Sequence, residues 1–428
     1  MNFDFSEDQK MLKEQVSKFL SDNCSLDVAR DILESDKTYS EEVWRGLIDL
    51  GLTGTAIPEE YGGLGLGALE LCVVAEELGR AAAPVPFSSS VYLGTEAIVK
   101  YGTDSQKEKW LPKLAVGELI STFALPETNS EPTEKNIKTT FSNGKINGRK
   151  IPVADGSCSD IAIVVVKNTD NDHIALTIVD LTSENVKRNQ ISTLDPSRDH
   201  AEIIFENSDA ELMDTGDEGW GAIENILNSA AVLMAFEQIG GAEASLNMAK
   251  DYALDRYAFG RQIGSYQAIK HKLADMYVKI ELARSNSYYG AMMLNDGGAD
   301  LKIAAAASRV AATDAYNFAA QESIQTHGGI GFTWEADTQF FYRRSQVLGL
   351  ALGSSITWKN KLVNQLEEKN ISVKFDNRDK FKPGFKFNEY ELKGVPLRIA
   401  IGPNDLKNET VELARRDNLS KTLINQNE

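Results

Sequence analysis

From about residue 6 to residue 118, apolar positions recur every three to four residues, the period of helices that bury one stripe. Ser6-Glu7-Asp8-Gln9 opens the stretch with N-cap chemistry. Pro58-Glu59-Glu60-Tyr61-Gly62-Gly63-Leu64-Gly65 reads as a glycine-rich turn, Leu69 to Arg80 as a resumed helix, and Pro84-Val85-Pro86 as its stop. Between residues 119 and 212 the period shortens. Ile161 to Val166, Ile174 to Val179 and Ala201 to Phe205 are short runs of apolar residues, most of them β-branched, separated by Asn, Asp, Ser and Thr clusters. They predict a small antiparallel β domain. From 217 to 366 the pattern is helical again. Ala304 to Ala320 is too long and too alanine-rich for a strand, and long helices with tight connections predict a four-helix bundle. The expected class is α+β: helical domain, β domain, helical bundle, then a small tail.

Composition narrows this picture. The 428 residues leave room for about three domains of roughly 150 residues. A net charge of −18 argues against broad nucleic-acid or membrane binding. Cys24, Cys72 and Cys158 are scattered and odd in number, which suits a reducing cytoplasm and supplies neither a disulfide framework nor a metal cluster. The acidic start, Met1-Asn2-Phe3-Asp4-Phe5-Ser6-Glu7, lacks a signal-peptide core. No uncharged run approaches the ~20 residues of a spanning helix.

Two segments carry candidate chemistry. Arg256-Tyr257-Ala258-Phe259-Gly260-Arg261-Gln262-Ile263-Gly264-Ser265-Tyr266-Gln267 offers an Arg, an aromatic and a Gln around two glycine turns. Gln325-Thr326-His327-Gly328-Gly329-Ile330-Gly331-Phe332 has three glycines where backbone can approach an anion closely. Taken singly, Arg256 reads as a helix-capping residue and each glycine as a loop turn. His327 reads as a loop histidine bonded locally.

In this order, the two segments resemble the flavin cradle of the acyl-CoA dehydrogenase family. The resemblance covers about residues 1–366. It extends to Pro58 to Gly65, Trp110-Leu111-Pro112-Lys113, Asn147-Gly148 with Lys150, and Ala268 to Met276. It implies that FAD lies between two subunits, with Arg256, Phe259 and Gln267 from one and Gln325, Gly328 and Gly329 from the other. An acyl-CoA thioester is the implied substrate, oxidised across its α and β carbons, and an electron-transfer flavoprotein is the implied acceptor. Gly79-Arg80-Ala81-Ala82-Ala83-Pro84-Val85-Pro86-Phe87 is similar to a bacterial subgroup whose members often form one half of a two-subunit enzyme. A homo- or hetero-oligomer with a paralogous subunit is therefore expected.

The implied chemistry needs a carboxylate base. The family places a Glu in a turn that here reads Ala351-Leu352-Gly353-Ser354, so Leu352 stands at the base position. An alternative site used by some members falls on Ala230 or Ala231. Leu125-Pro126-Glu127-Thr128-Asn129-Ser130-Glu131-Pro132 replaces the usual acyl-binding loop, and Lys150-Ile151-Pro152-Val153-Ala154-Asp155 lacks the Trp that covers the flavin ring. Glu237 is a candidate base, because an acid among apolar neighbours has a raised pKa. A buried structural carboxylate satisfied by an Arg or a backbone donor is the favoured alternative. Glu335 and Asp337 read as solvated.

From Ile371 the text changes. Residues 371–428 hold 11 Lys and Arg against 9 Asp and Glu, whereas the rest holds 34 against 54. Lys393-Gly394-Val395-Pro396-Leu397-Arg398 and Ile401-Gly402-Pro403-Asn404-Asp405-Leu406 resemble the later half of the anticodon-binding domain of prolyl-tRNA synthetase. The resemblance matches Glu391 and Arg398 to base-reading positions; Asn404 departs from the usual Arg or Lys. A partial domain fused at about residue 369, by gene fusion, a frameshift or an artefact of assembly, is expected. Two other functions stay open: a tRNA-binding fragment, disfavoured by the acidic balance, and a catalytically silent structural subunit.

Overall fold

The computed structural model describes residues 5–369, 389, 397–400, 410–415 and 420–425. The chain divides into two compact units, Met1–Lys369 and Asn370–Glu428.

The first unit opens with six helices: α1 (Glu7–Asn23), α2 (Leu26–Leu33), α3 (Glu41–Asp49), α4 (Ala68–Arg80), α5 (Glu96–Tyr101) and α6 (Asp104–Ala115). A π-helical segment, Ser88–Thr95, runs directly into α5. Side chains set the starts. Ser6 and Gln9 exchange reciprocal bonds of 3.2 and 2.9 Å at α1, and Thr103 and Gln106 do the same at α6.

Eight strands follow: β1 (Ser121–Ala124), β2 (Thr140–Ser142), β3 (Lys145–Ala154), β4 (Ile161–Asn168), β5 (His173–Asp180), β6 (Val186–Gln190), β7 (His200–Asp209) and β8 (Glu211–Leu212). Their order is β6-β7-β3-β2-β4-β5-β8, with β1 also on β4. Most pairs are antiparallel, as expected, but β1 and β2 each pair parallel with β4. A strand's apolar pattern carries no direction, so these parallel pairs had no sequence signature. The run Ile161 to Val166 is buried throughout because β4 is covered on both faces. Edge strand β6 is largely exposed.

The bundle is built on α7 (Trp220–Asp255), then β9 (Tyr257–Ala258), β10 (Arg261–Gln262), α8 (Gln267–Asn295) and α9 (Leu301–His327). Its fourth side is α10 (Thr338–Leu350), followed by α11 (Ser355–Glu368). α7 is buried on every side from Ile226 to Ala242. Two glycines bring it against α4. A methyl at Gly79 would lie 1.8 Å from the Glu237 carbonyl oxygen, and one at Gly240 would lie 1.8 Å from that of Glu76. The two backbones touch at this crossing.

In the second unit, β11 (Leu397–Ala400), β12 (Thr410–Arg415) and β13 (Lys421–Asn425) form an antiparallel sheet in that order. Arg398 lies opposite Ala414. Glu391 lies outside the described residues.

Candidate functional site

α7 ends where Arg256 turns extended, its N–H donating to the Tyr252 carbonyl at 2.8 Å. β9 and β10 form a two-residue hairpin whose turn, Phe259-Gly260, has φ of 52° and 80°. Both angles are left-handed, as the tightest hairpin turn demands. For Phe259 that conformation costs about 1–2 kcal/mol, yet its ring is 98% exposed. The Tyr266 hydroxyl donates to the Ala258 carbonyl at 3.0 Å, and the Arg261 guanidinium lies 3.9 Å from the Tyr266 ring centroid. This fixes the hairpin just before Gln267 opens α8. Arg256 and Gln267 are exposed, and among the described residues their side chains make no hydrogen bond or ion pair.

α9 ends at His327, and Gly328 follows with φ 64°. A methyl added at Gly328 or Gly329 would meet nothing within 4 Å. Gln325 is exposed, with its side chain likewise unbonded among the described residues. His327 Nδ1 lies 2.8 Å from the Ser323 carbonyl oxygen, the contact of a ring N–H donor, so the histidine is held locally. Its ring stacks on Tyr252, with centroids 4.2 Å apart and planes at 26°. Tyr252 lies one turn before Arg256, so this stack sets the two glycine-rich segments side by side on one chain. A cavity of about 230 Å³ lies against the stack, lined by Met248, Tyr252, His327, Ile330, Ala336, Asp337 and Thr338. Sequence reasoning overlooked Tyr252, whose only signal is its position one helical turn from Arg256.

Leu352 is buried at 8% exposure, and its carbonyl accepts from the Trp358 indole at 3.1 Å. Ala230 and Ala231 are fully buried. Glu237 is also buried, and it sits in a cluster of opposed charges. Arg198, on the loop between β6 and β7, donates to Ser88 at 2.6 Å, Asp155 at 3.1 Å and Glu237 at 3.5 Å. Arg344 donates to Asp195 at 2.6 Å, to Ser197 at 3.0 Å and to the Ala83 carbonyl at 3.1 Å. Arg309 donates to Gln238 at 2.5 Å and to the Leu348 carbonyl. Burial pushes the Glu237 carboxyl up, and Arg198 and Arg344 pull it back only in part. The sequence marked Glu237 but none of its partners. Asp195 to Asp199 reads as ordinary solvated turn chemistry, and its contacts lie on elements distant in sequence.

Lys150 is also buried, donating to Glu127 at 2.8 Å and to the Leu125 carbonyl at 3.1 Å. Burial lowers the Lys150 pKa to about 8, against the pull of Glu127. Pro152 is exposed at the position of the family's Trp. Asp337 accepts from Arg30 at 2.8 Å, and Glu335 is exposed.

A helical domain, a mixed sheet and a helical bundle with glycine turns at two helix ends define a dehydrogenase architecture. The chain belongs to the acyl-CoA dehydrogenase family, an oxidoreductase family acting on CH–CH groups. Family models match the acyl-CoA dehydrogenase N-terminal domain at residues 6–118 and the C-terminal domain at 217–364. A model for the anticodon binding domain matches 346–428, so the chain joins the dehydrogenase to an anticodon-binding segment. Acyl-CoA dehydrogenase IpdE2 of Mycobacterium tuberculosis is 32% identical over 340 residues, 79% of this chain and 91% of that protein. The solved steroid ACAD Tcur3481–Tcur3483, in a variant form, is 25% identical with a TM-score of 0.78, covering 86% of this chain and 99% of that one. Butyryl-CoA dehydrogenase of Megasphaera elsdenii shares the fold, at 24% identity and a TM-score of 0.79, over 86% and 100% of the two chains. Among the described residues, no helix is long and apolar enough to cross a membrane, and no three His, Cys, Asp or Glu are grouped to hold a metal.

Proposed function

We propose that this chain is a cytoplasmic, FAD-binding subunit of an acyl-CoA dehydrogenase that shares its cofactor with a second, paralogous subunit. In this reading Arg256 pairs with the cofactor's pyrophosphate, Phe259 and Gln267 flank it, and Gln325, Gly328 and Gly329 serve the cofactor of the other subunit. The observation that carries the reading is the Tyr252–His327 stack, which brings the two segments together. A two-fold pairing of such faces gives each cofactor one segment from each chain. The donor set fits an anionic group, with a guanidinium and two amides that make no bond among the described residues, and glycines with open space beside them.

The chemistry FAD supplies when bound is acceptance of hydride from the β carbon of the acyl thioester. The proton leaves the α carbon to a carboxylate, and Leu352, Ala230 and Ala231 offer none. We assign that base to the partner subunit and Glu237 to structure, because three arginines surround it. An electron-transfer flavoprotein takes the electrons onward. The two-component name of the similar steroid ACAD is in keeping with a paired enzyme. The missing carboxylates also favour a second reading, a catalytically silent structural subunit.

Purification alone and with a co-expressed paralogue tests both readings. Flavin absorbance with acyl-CoA oxidation only in the pair is the expected result. Stable assembly without flavin would favour the silent subunit. Full acyl-CoA oxidation by the lone chain would overturn the assignment of the base to a partner.

A further inference from the structure

An acyl pocket has to be apolar, open, and in reach of the base position at Leu352 and of the alternative position at Ala230 or Ala231. The structure fills that neighbourhood. All residues of α7 from Ile226 to Ala242, and all eight of Ser88–Thr95, are buried. Between α7 and the end of α10, Arg309 bonds both Gln238 and the Leu348 carbonyl, four residues before Leu352. Between α7 and the π-helical segment, Arg198 bridges Glu237, Ser88 and Asp155. Arg344 holds the same loop by Asp195 and Ser197, and Arg343 bonds its Leu194 carbonyl at 2.9 Å. Arg198, Arg309 and Arg344 balance Asp155, Asp195 and Glu237 in formal charge. Methylenes entering here would separate buried ion pairs and strand their charges, which is strongly unfavourable.

We propose that the loop between β6 and β7 is an internal plug: Arg198 fills the interior beside α7, so the described residues of this chain leave no acyl pocket there and the acyl group is held by the other subunit. The inference rests on the paired-subunit reading above.

The test is calorimetric titration of the full chain with octanoyl-CoA and with CoA. Each methylene buried in a pocket tightens binding about fourfold. The plug predicts that the two affinities agree within about threefold. Octanoyl-CoA binding tighter than CoA by about tenfold or more would overturn it. A folded R198A is expected to gain preference for octanoyl-CoA, and a folded R198A without that gain would overturn the assignment to this loop. If R198A does not fold, the wild-type titration still decides. Flavin content is read separately by absorbance. A flavin-free pair sinks the cofactor reading and leaves the plug standing.

Discussion

The guanidinium of Arg344 lies 2.6 Å from the carboxylate of Asp195, and the two side chains are 2% and 1% exposed. One comes from the bundle and the other from the sheet domain. Burial alone would raise the Asp195 carboxyl, but Arg344 and the Ser197 hydroxyl hold it below the usual carboxylate range. A lowered folded pKa contributes stability that is present above the unfolded value, near 3.9, and lost as pH falls through the folded one. D195N is expected to lose about 3–5 kcal/mol at neutral pH by stranding Arg344, and to weaken less steeply in acid. Urea midpoints at pH 7 and below pH 4 check this; an unchanged neutral midpoint would count against a stabilising pair.

The crossing of α4 and α7 and the turn after α9 make opposite predictions for glycine. Gly240→Ala forces a methyl to within 1.8 Å of a backbone oxygen. It should cost about 1–3 kcal/mol or more. Gly329→Ala meets nothing and should change stability by less than about 0.5 kcal/mol, while lowering flavin retention or pairing. Thermal melting together with flavin content separates the two.

Arg256→Ala should leave the melting temperature nearly unchanged, because Arg256 is exposed and makes no side-chain bond among the described residues. It should cost at least about tenfold in flavin affinity if the guanidinium pairs with a diphosphate. Arg256→Lys should recover part of that loss, lacking the forked geometry. Flavin released on gel filtration of the co-purified pair reads this out.

Glu237→Gln should leave acyl-CoA oxidation by the pair intact. Its mark is expected in pH dependence. A carboxyl raised by burial favours the folded state below its unfolded pKa, and that contribution is lost as pH rises through the folded value. From pH about 4.5 upward, the stability of the wild type relative to E237Q should therefore fall. A difference flat in pH would show that Glu237 keeps an ordinary pKa.

Much of the architecture was legible because it is written locally. Ser6 announces a helix start and Ile161 to Val166 a short strand, whereas the caps at Thr103 and Ser354 emerged only with the structure. A turn after α7 was visible at Gly260, but the hairpin it closes and the left-handed Phe259 before it were not, since nothing in a phenylalanine's chemistry asks for that angle. β6 escaped notice because Lys187, Arg188, Asn189 and Gln190 are polar, as an exposed edge strand requires. The two candidate segments stood out by their glycines. The charged interior was not found, because Asp155, Asp195, Arg198 and Arg344 look like surface residues until distant elements enclose them.

That interior has a consequence for synthesis. Arg198 bonds Ser88, 110 positions earlier, and Asp195 is bonded by Arg344, 149 positions later. A nascent chain emerges with Ser88 and Asp155 first, then the loop, and Arg344 only near the end. Until α10 leaves the ribosome, Asp195 lacks its bonded partner Arg344. The charged centre of the molecule therefore cannot close until almost the whole first unit has been made.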